Sequence, residues 1–167
     1  STQQETLFPY TTLFRSAFQH GFTYIGHPTA CAGALAVQRA IERDDLLANV
    51  AGQGEKLRAD LRARFGDHPH VGDIRGRGLF IGVELVAERA GKTPFDPAQK
   101  LNARIKSAAF QRGLICYPGG GTADGTRGDH VLLAPPYILD DAHREEMVEK
   151  LAAAIADALG QLQGAAA

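Results

Sequence analysis

Residues 21–33 read Gly-Phe-Thr-Tyr-Ile-Gly-His-Pro-Thr-Ala-Cys-Ala-Gly, a spacing that sets the Thr23 hydroxyl, two flexible glycines and Pro28 just ahead of a helical pattern. That arrangement suits an anion, above all a phosphate. The free N–H groups of a first helical turn and the positive end of its dipole attract negative charge, and a nearby hydroxyl adds one hydrogen bond. Pro28 fits the first helical position, where its missing N–H costs nothing. From spacing alone, a Thr that bonds locally within a turn is the better account of Thr23. His27 reads as a turn residue that fixes the start of the helix rather than as a proton carrier.

A second candidate is Arg127, in Gly125-Thr126-Arg127-Gly128-Asp129, where a guanidinium can fork onto a substrate carboxylate. A solvated loop arginine is the competing reading. Arg75 reads as structural, with Asp73 and Glu84 as expected partners. His68 and His70 stand at alternate positions without carboxylate or thiol companions, and we read no metal site there.

Elements that must position these groups follow from periodicity. Ala30, Ala34, Val37 and Ile41 share one face of a helix expected over residues 28–47, and Val50, Gly54, Leu57, Leu61 and Phe65 mark a second, stopped at Gly66. Residues 71–86 alternate with period two, placing Leu79, Ile81, Val83 and Leu85 on one face of a strand and Phe80, Gly82 and Glu84 on the other. The frequent glycines at 72, 76, 78 and 82 predict a bend or the close approach of another backbone. Asp96-Pro97 opens a helix that buries Leu101, Ile105, Ala108 and Ala109 and ends at Gly113. Short strands at 114–117 and 131–134 flank a glycine-rich loop. A last helix from Asp140 or Asp141 carries Val148, Leu151, Ile155 and Leu159, with Gly160 as its stop and residues 161–167 as a frayed tail. The class implied is α/β, more narrowly an α+β small domain with a small sheet covered by helices.

Composition adds bounds. With 167 residues, 44% hydrophobic and 22% charged, the chain can hold one domain with a real core. A net charge of −1 offers no basic field for nucleic acid or anionic membrane. No apolar run approaches a membrane span. Cys31 and Cys116 match neither a disulfide framework nor a metal pattern, so a reduced, cytoplasmic setting is expected. The codons of Thr6 to Ser16 can spell a widely used sequencing-adapter string. Residues 1–16 are therefore expected to be an artefact joined to a shortened reading frame, with the natural chain beginning near Ala17; an ordinary apolar arm is the alternative.

Three motifs carry a resemblance. The run Gly21 to Gly33, the segment Arg75-Gly76-Arg77-Gly78-Leu79-Phe80-Ile81-Gly82-Val83-Glu84 and the segment Gly128-Asp129-His130-Val131-Leu132-Leu133-Ala134-Pro135-Pro136 resemble, in order, stretches of the class III aminotransferases. The resemblance implies the C-terminal part of a fold type I enzyme dependent on pyridoxal 5′-phosphate (PLP). Residues 17–48 would end the large PLP-binding domain and supply the linking helix, and residues 49–160 would form the small C-terminal domain. It implies that Thr23, with the Phe22 backbone N–H, holds the coenzyme phosphate across the interface of a homodimer. Arg127 would take the substrate carboxylate, with Tyr117 competing for that place. No catalytic residue is assigned, because the coenzyme-carrying lysine lies upstream in the family and Lys56, Lys92, Lys100, Lys106 and Lys150 match no such motif. The implied function is amino transfer from an omega-amino acid or amine to a 2-oxo acid such as pyruvate, incomplete in this chain. A same-fold aminomutase or decarboxylase fragment and a non-catalytic α/β binding module are the alternatives. In isolation, the Ala-rich helix over 28–47 would be exposed and prone to association.

Overall fold

The computed structural model describes residues 20–164; residues 1–16, expected above to be an artefact, and the last three residues of the expected frayed tail lie outside them. Two compact units divide the chain, one ending at Ala40 and one beginning at Ile41. In the N-terminal unit, a turn over residues 23–26 leads into helix α1 (Pro28–Arg43), which has no buried residue and leaves Leu35 and Val37 half exposed. Contrary to the expectation of one helix to residue 47, α1 stops at Arg43 and helix α2 starts at Leu46 (Leu46–Phe65). The break falls at Asp45, whose φ of 47° is left-handed, a conformation that aspartate tolerates better than most residues.

Downstream of α2 the period-two segment forms two strands rather than one: β1 (Val71–Arg77) and β2 (Phe80–Leu85). Their register pairs Arg77 with Phe80, so Gly78 and Leu79 alone make the connection. Gly78 has φ +56°, the sign a tight hairpin needs at its first central residue. Gly72 lies in the bulge between the Val71 and Asp73 pairings, the irregularity its position predicted.

A 3₁₀ turn (Pro97–Gln99), capped by the Asp96 carboxylate accepting from the Ala98 N–H at 2.9 Å, precedes helix α3 (Leu101–Gln111). The α3 start is held by a distant group, because the Asp129 carboxylate accepts from the Asn102 N–H. Strands β3 (Tyr117–Gly119) and β4 (Asp129–Leu133) complete an antiparallel sheet of order β1-β2-β4-β3. Helix α4 (Asp141–Gly164) runs past Gly160, because Leu162 still packs against the core and tertiary burial outweighs the helix cost of one glycine.

The alternation read from the sequence sets the layers. Ile81, Val83 and Leu85 of β2 and Val131 and Leu133 of β4 are buried against Leu57 and Leu61 of α2, Leu101 and Ile105 of α3 and Leu151 and Ile155 of α4. Helices thus cover one face of the sheet. The other face is open and carries Phe80, 60% exposed, with Gly82, Glu84, His130 and Leu132 around a shallow cavity of about 470 Å³. This open four-stranded sheet with helices on one side is the small sheet covered by helices that the periodicity implied.

Candidate functional site

The turn ahead of α1 is built from two overlapping backbone bonds, Ile25 N–H to Phe22 O at 3.0 Å and His27 N–H to Tyr24 O at 3.1 Å, with Gly26 at φ +77°. Its side chains face outward. Phe22 is 70% exposed, Thr23 is exposed, and among the described residues neither the Thr23 hydroxyl nor the Phe22 N–H has a hydrogen-bond partner. His27 acts as the N-cap, its Nδ1 accepting from the Ala30 N–H at 3.3 Å. This bears on the anion argument made from spacing. One first-turn donor of α1 is already taken by His27, so the capacity for a phosphate rests on Thr23 and the turn before the helix.

Arg127 lies in the connection between β3 and β4, which is ordered by its own hydrogen bonds. Ala123 N–H donates to Arg127 O at 2.8 Å, Thr122 N–H to Gly128 O at 3.3 Å and Gly125 N–H to Gly121 O at 2.9 Å. Sequence reasoning did not single out Asp124, which organises the tip. Its Oδ1 accepts from the Thr126 and Arg127 N–H groups at 3.0 and 2.7 Å, and its Oδ2 from Arg127 Nε at 2.7 Å. The Arg127 N–H bond first, and its guanidinium second, pull the Asp124 carboxyl down to about 2. An Asp three residues before the arginine, followed by Gly, was the available signal. Tyr117, the competing position, starts the edge strand β3, is 70% exposed and pairs across to Leu132.

Arg75 takes the structural partners expected of it. Its Nη1 lies 2.8 Å from Asp73 Oδ2 and 3.9 Å from Glu84 Oε2, and Lys92 Nζ adds a 3.1 Å contact to the same Glu84 oxygen. The Arg75 guanidinium holds the Asp73 carboxyl below its usual range. Of the lysines, Lys56 pairs with Asp141, Lys92 with Glu84 and Lys150 with Glu146. His70 Nδ1 faces the carbonyls of Val86 and Ala87, while burial holds His68 below the usual imidazole value. Among the described residues no group of three or more His, Cys, Asp or Glu is arranged to hold a metal, Cys31 and Cys116 are free thiols, and no helix is long and apolar enough to cross a membrane.

Residues 9–155 match the family described as Aminotransferase class-III. The chain belongs to the class III aminotransferases. An uncharacterized aminotransferase of Schizosaccharomyces pombe is 47% identical over 141 residues, 84% of this chain and 31% of that protein. Among solved structures, an (S)-enantioselective omega-transaminase from Thermomicrobium roseum matches with a TM-score of 0.76 at 36% identity, over 87% of this chain and 30% of its own. An amine transaminase from an uncultivated Pseudomonas species, in a PLP-bound form, matches with a TM-score of 0.72 at 36% identity, over 84% and 30%. The chain spans under a third of the length of the relatives it matches.

Proposed function

We propose that this chain is the C-terminal part of a PLP-dependent transaminase that moves an amino group from an omega-amino acid or amine to a 2-oxo acid such as pyruvate. The observation that carries the reading is the Gly21–His27 turn, which presents a Thr23 hydroxyl and a Phe22 N–H that have no partner among the described residues, in a chain of this family. These donors fit a phosphate: both residues are exposed, and among the described residues neither donor must break a bond to reach it and no carboxylate contacts either of them. Thr23 and Phe22 would hold the coenzyme phosphate, reaching the site of a second copy in a homodimer, and the bound coenzyme supplies the electron sink for amino transfer. Arg127 would bind the substrate carboxylate through its guanidinium. Residues 17–48 would close the large domain and residues 49–160 form the small one, in a cytoplasmic enzyme.

None of the lysines in this chain is assigned to carry the coenzyme, and three of them are engaged in surface ion pairs. The chain alone, incubated with PLP, an amine and pyruvate, is therefore expected to give no amino transfer above that of the coenzyme itself. Joined to an upstream family segment that carries the lysine, it is expected to turn over. Product formation by the isolated chain at an enzymatic rate would contradict the reading, as would failure of the joined, folded and PLP-loaded protein to transfer an amino group from any amine.

A further inference from the structure

Arg127 does not sit in its loop as a free side chain. Asp124 engages it twice, through the backbone N–H at 2.7 Å and through Nε at 2.7 Å, while also fixing the intervening Thr126 N–H. A guanidinium gripped at Nε has its plane and its reach set by the partner, yet its two terminal nitrogens remain available. Among the described residues neither Arg127 Nη has a hydrogen-bond partner, and the side chain is 59% exposed. Those terminal nitrogens form an edge that can meet a carboxylate through two parallel bonds. The loop that carries the pair is narrow and closed: the Thr122 and Ala123 N–H groups bond back to Gly128 O and Arg127 O, and Gly121, Gly125 and Gly128 have φ of +82°, +89° and +102°. The Asp124 carboxylate therefore fixes both the backbone that presents the arginine and the arginine's own head group.

We propose that Asp124 is a positioning residue for substrate carboxylates, orienting Arg127 by its Nε so that the terminal nitrogens are pre-arranged to receive the acid group. This rests on the reading of Arg127 as the carboxylate-binding residue. Such a clasp favours carboxylated over uncharged substrates, since ordering a long side chain beforehand removes part of the cost of ordering it on binding. It also supplies a counter-charge to Arg127 when the substrate has no acid group.

The test uses the full-length PLP-loaded enzyme and two acceptors, pyruvate and an uncharged aldehyde. Arg127→Ala is expected to raise the ratio of the pyruvate KM to the aldehyde KM, which establishes the underlying reading. Asp124→Ala is expected to raise the same ratio about two- to tenfold, the size of pre-ordering one flexible side chain. Asp124→Asn, whose amide oxygen can still accept from the loop N–H groups, is expected to fall between Asp124→Ala and the parent. A general folding defect moves both KM values together and leaves their ratio in place. If Arg127→Ala shifts the ratio and neither Asp124 variant does, the inference is overturned while the reading of Arg127 stands. If Arg127→Ala leaves the ratio where it was, both are overturned.

Discussion

Arg144→Ala is expected to lower the unfolding free energy of the chain by about 3 kcal/mol, measured by denaturant titration at neutral pH. Arg144 is 8% exposed by side chain and lies where α4 crosses α2. Its Nε donates to Asp60 Oδ2 at 2.6 Å, and its Nη1 to Gln53 Oε1 at 2.9 Å and to Asp141 Oδ1. Alanine leaves the buried Gln53 oxygen without its donor and the Asp60, Asp141 and Glu145 carboxylates without their shared cation. Removing one member of a buried ion pair costs about 3 to 5 kcal/mol. The lower end applies because Asp60 and Asp141 are 37% and 57% exposed and regain water. Lysine in place of Arg144 should restore little, since one ammonium cannot reproduce a planar fork to four acceptors. The pH dependence has a definite sign. Lys56 first, then Gln53 and Arg144, hold the Asp141 carboxyl below its usual range. A carboxylate with a lowered folded pKa stabilises above its unfolded value, about 3.9, and loses that contribution as pH falls towards the folded one. The gap between parent and Arg144→Ala should therefore narrow below about pH 4; a gap that widened there would contradict the account.

Gly54→Ala is expected to destabilise by about 2 kcal/mol, although alanine is the better helix former by about 1 kcal/mol. Gly54 lies in mid-helix on α2, and a Cβ there would come within 2.4 Å of Gly78 O and 2.5 Å of Gly78 C. The obstacle is backbone, which no rotamer change can move aside. Helix α2 and the β1–β2 turn must separate, loosening the contact of Val50 with Gly78 and the burial of Leu57 and Leu61 below it. Gly52, two residues earlier, has open space where a methyl group would stand, with nothing within 4 Å, so Gly52→Ala serves as the control and should be neutral or stabilising. Equal stabilities for the two variants in chemical denaturation would sink the close-contact explanation.

How much of the fold is legible in the sequence depends on the range of the interaction responsible. The two-residue alternation from Leu79 to Leu85 gives the buried face of β2 correctly, because that signal is local and is carried by side chains that are between 0% and 4% exposed. The turn at Gly78 is hidden inside the same alternation, since Arg77 and Phe80 are paired by register and not by residue type. The break between α1 and α2 has neither Gly nor Pro to announce it, only the left-handed Asp45. Gly160 reads as a stop, but burial beyond it carries α4 onward. At the site, the N-cap at His27 and the Asp73–Arg75–Glu84 pairing lie within reach of sequence reasoning. The Asp124 clasp is equally local, yet a loop aspartate among glycines does not stand out, whereas Asp60 and Gln53, two of the partners of Arg144, lie more than 80 residues away and nothing in the neighbourhood of Arg144 names them.

The central claim is that the Thr23 hydroxyl grips the phosphate of the coenzyme, and PLP affinity of the full-length enzyme measures it most directly. Thr23→Val keeps the shape and removes the hydroxyl, so the dissociation constant should rise about ten- to hundredfold, the worth of one hydrogen bond to a charged group. Thr23→Ser should bind within a few-fold of the parent. Equal affinity of the valine variant and the parent, with both folded, would contradict the account.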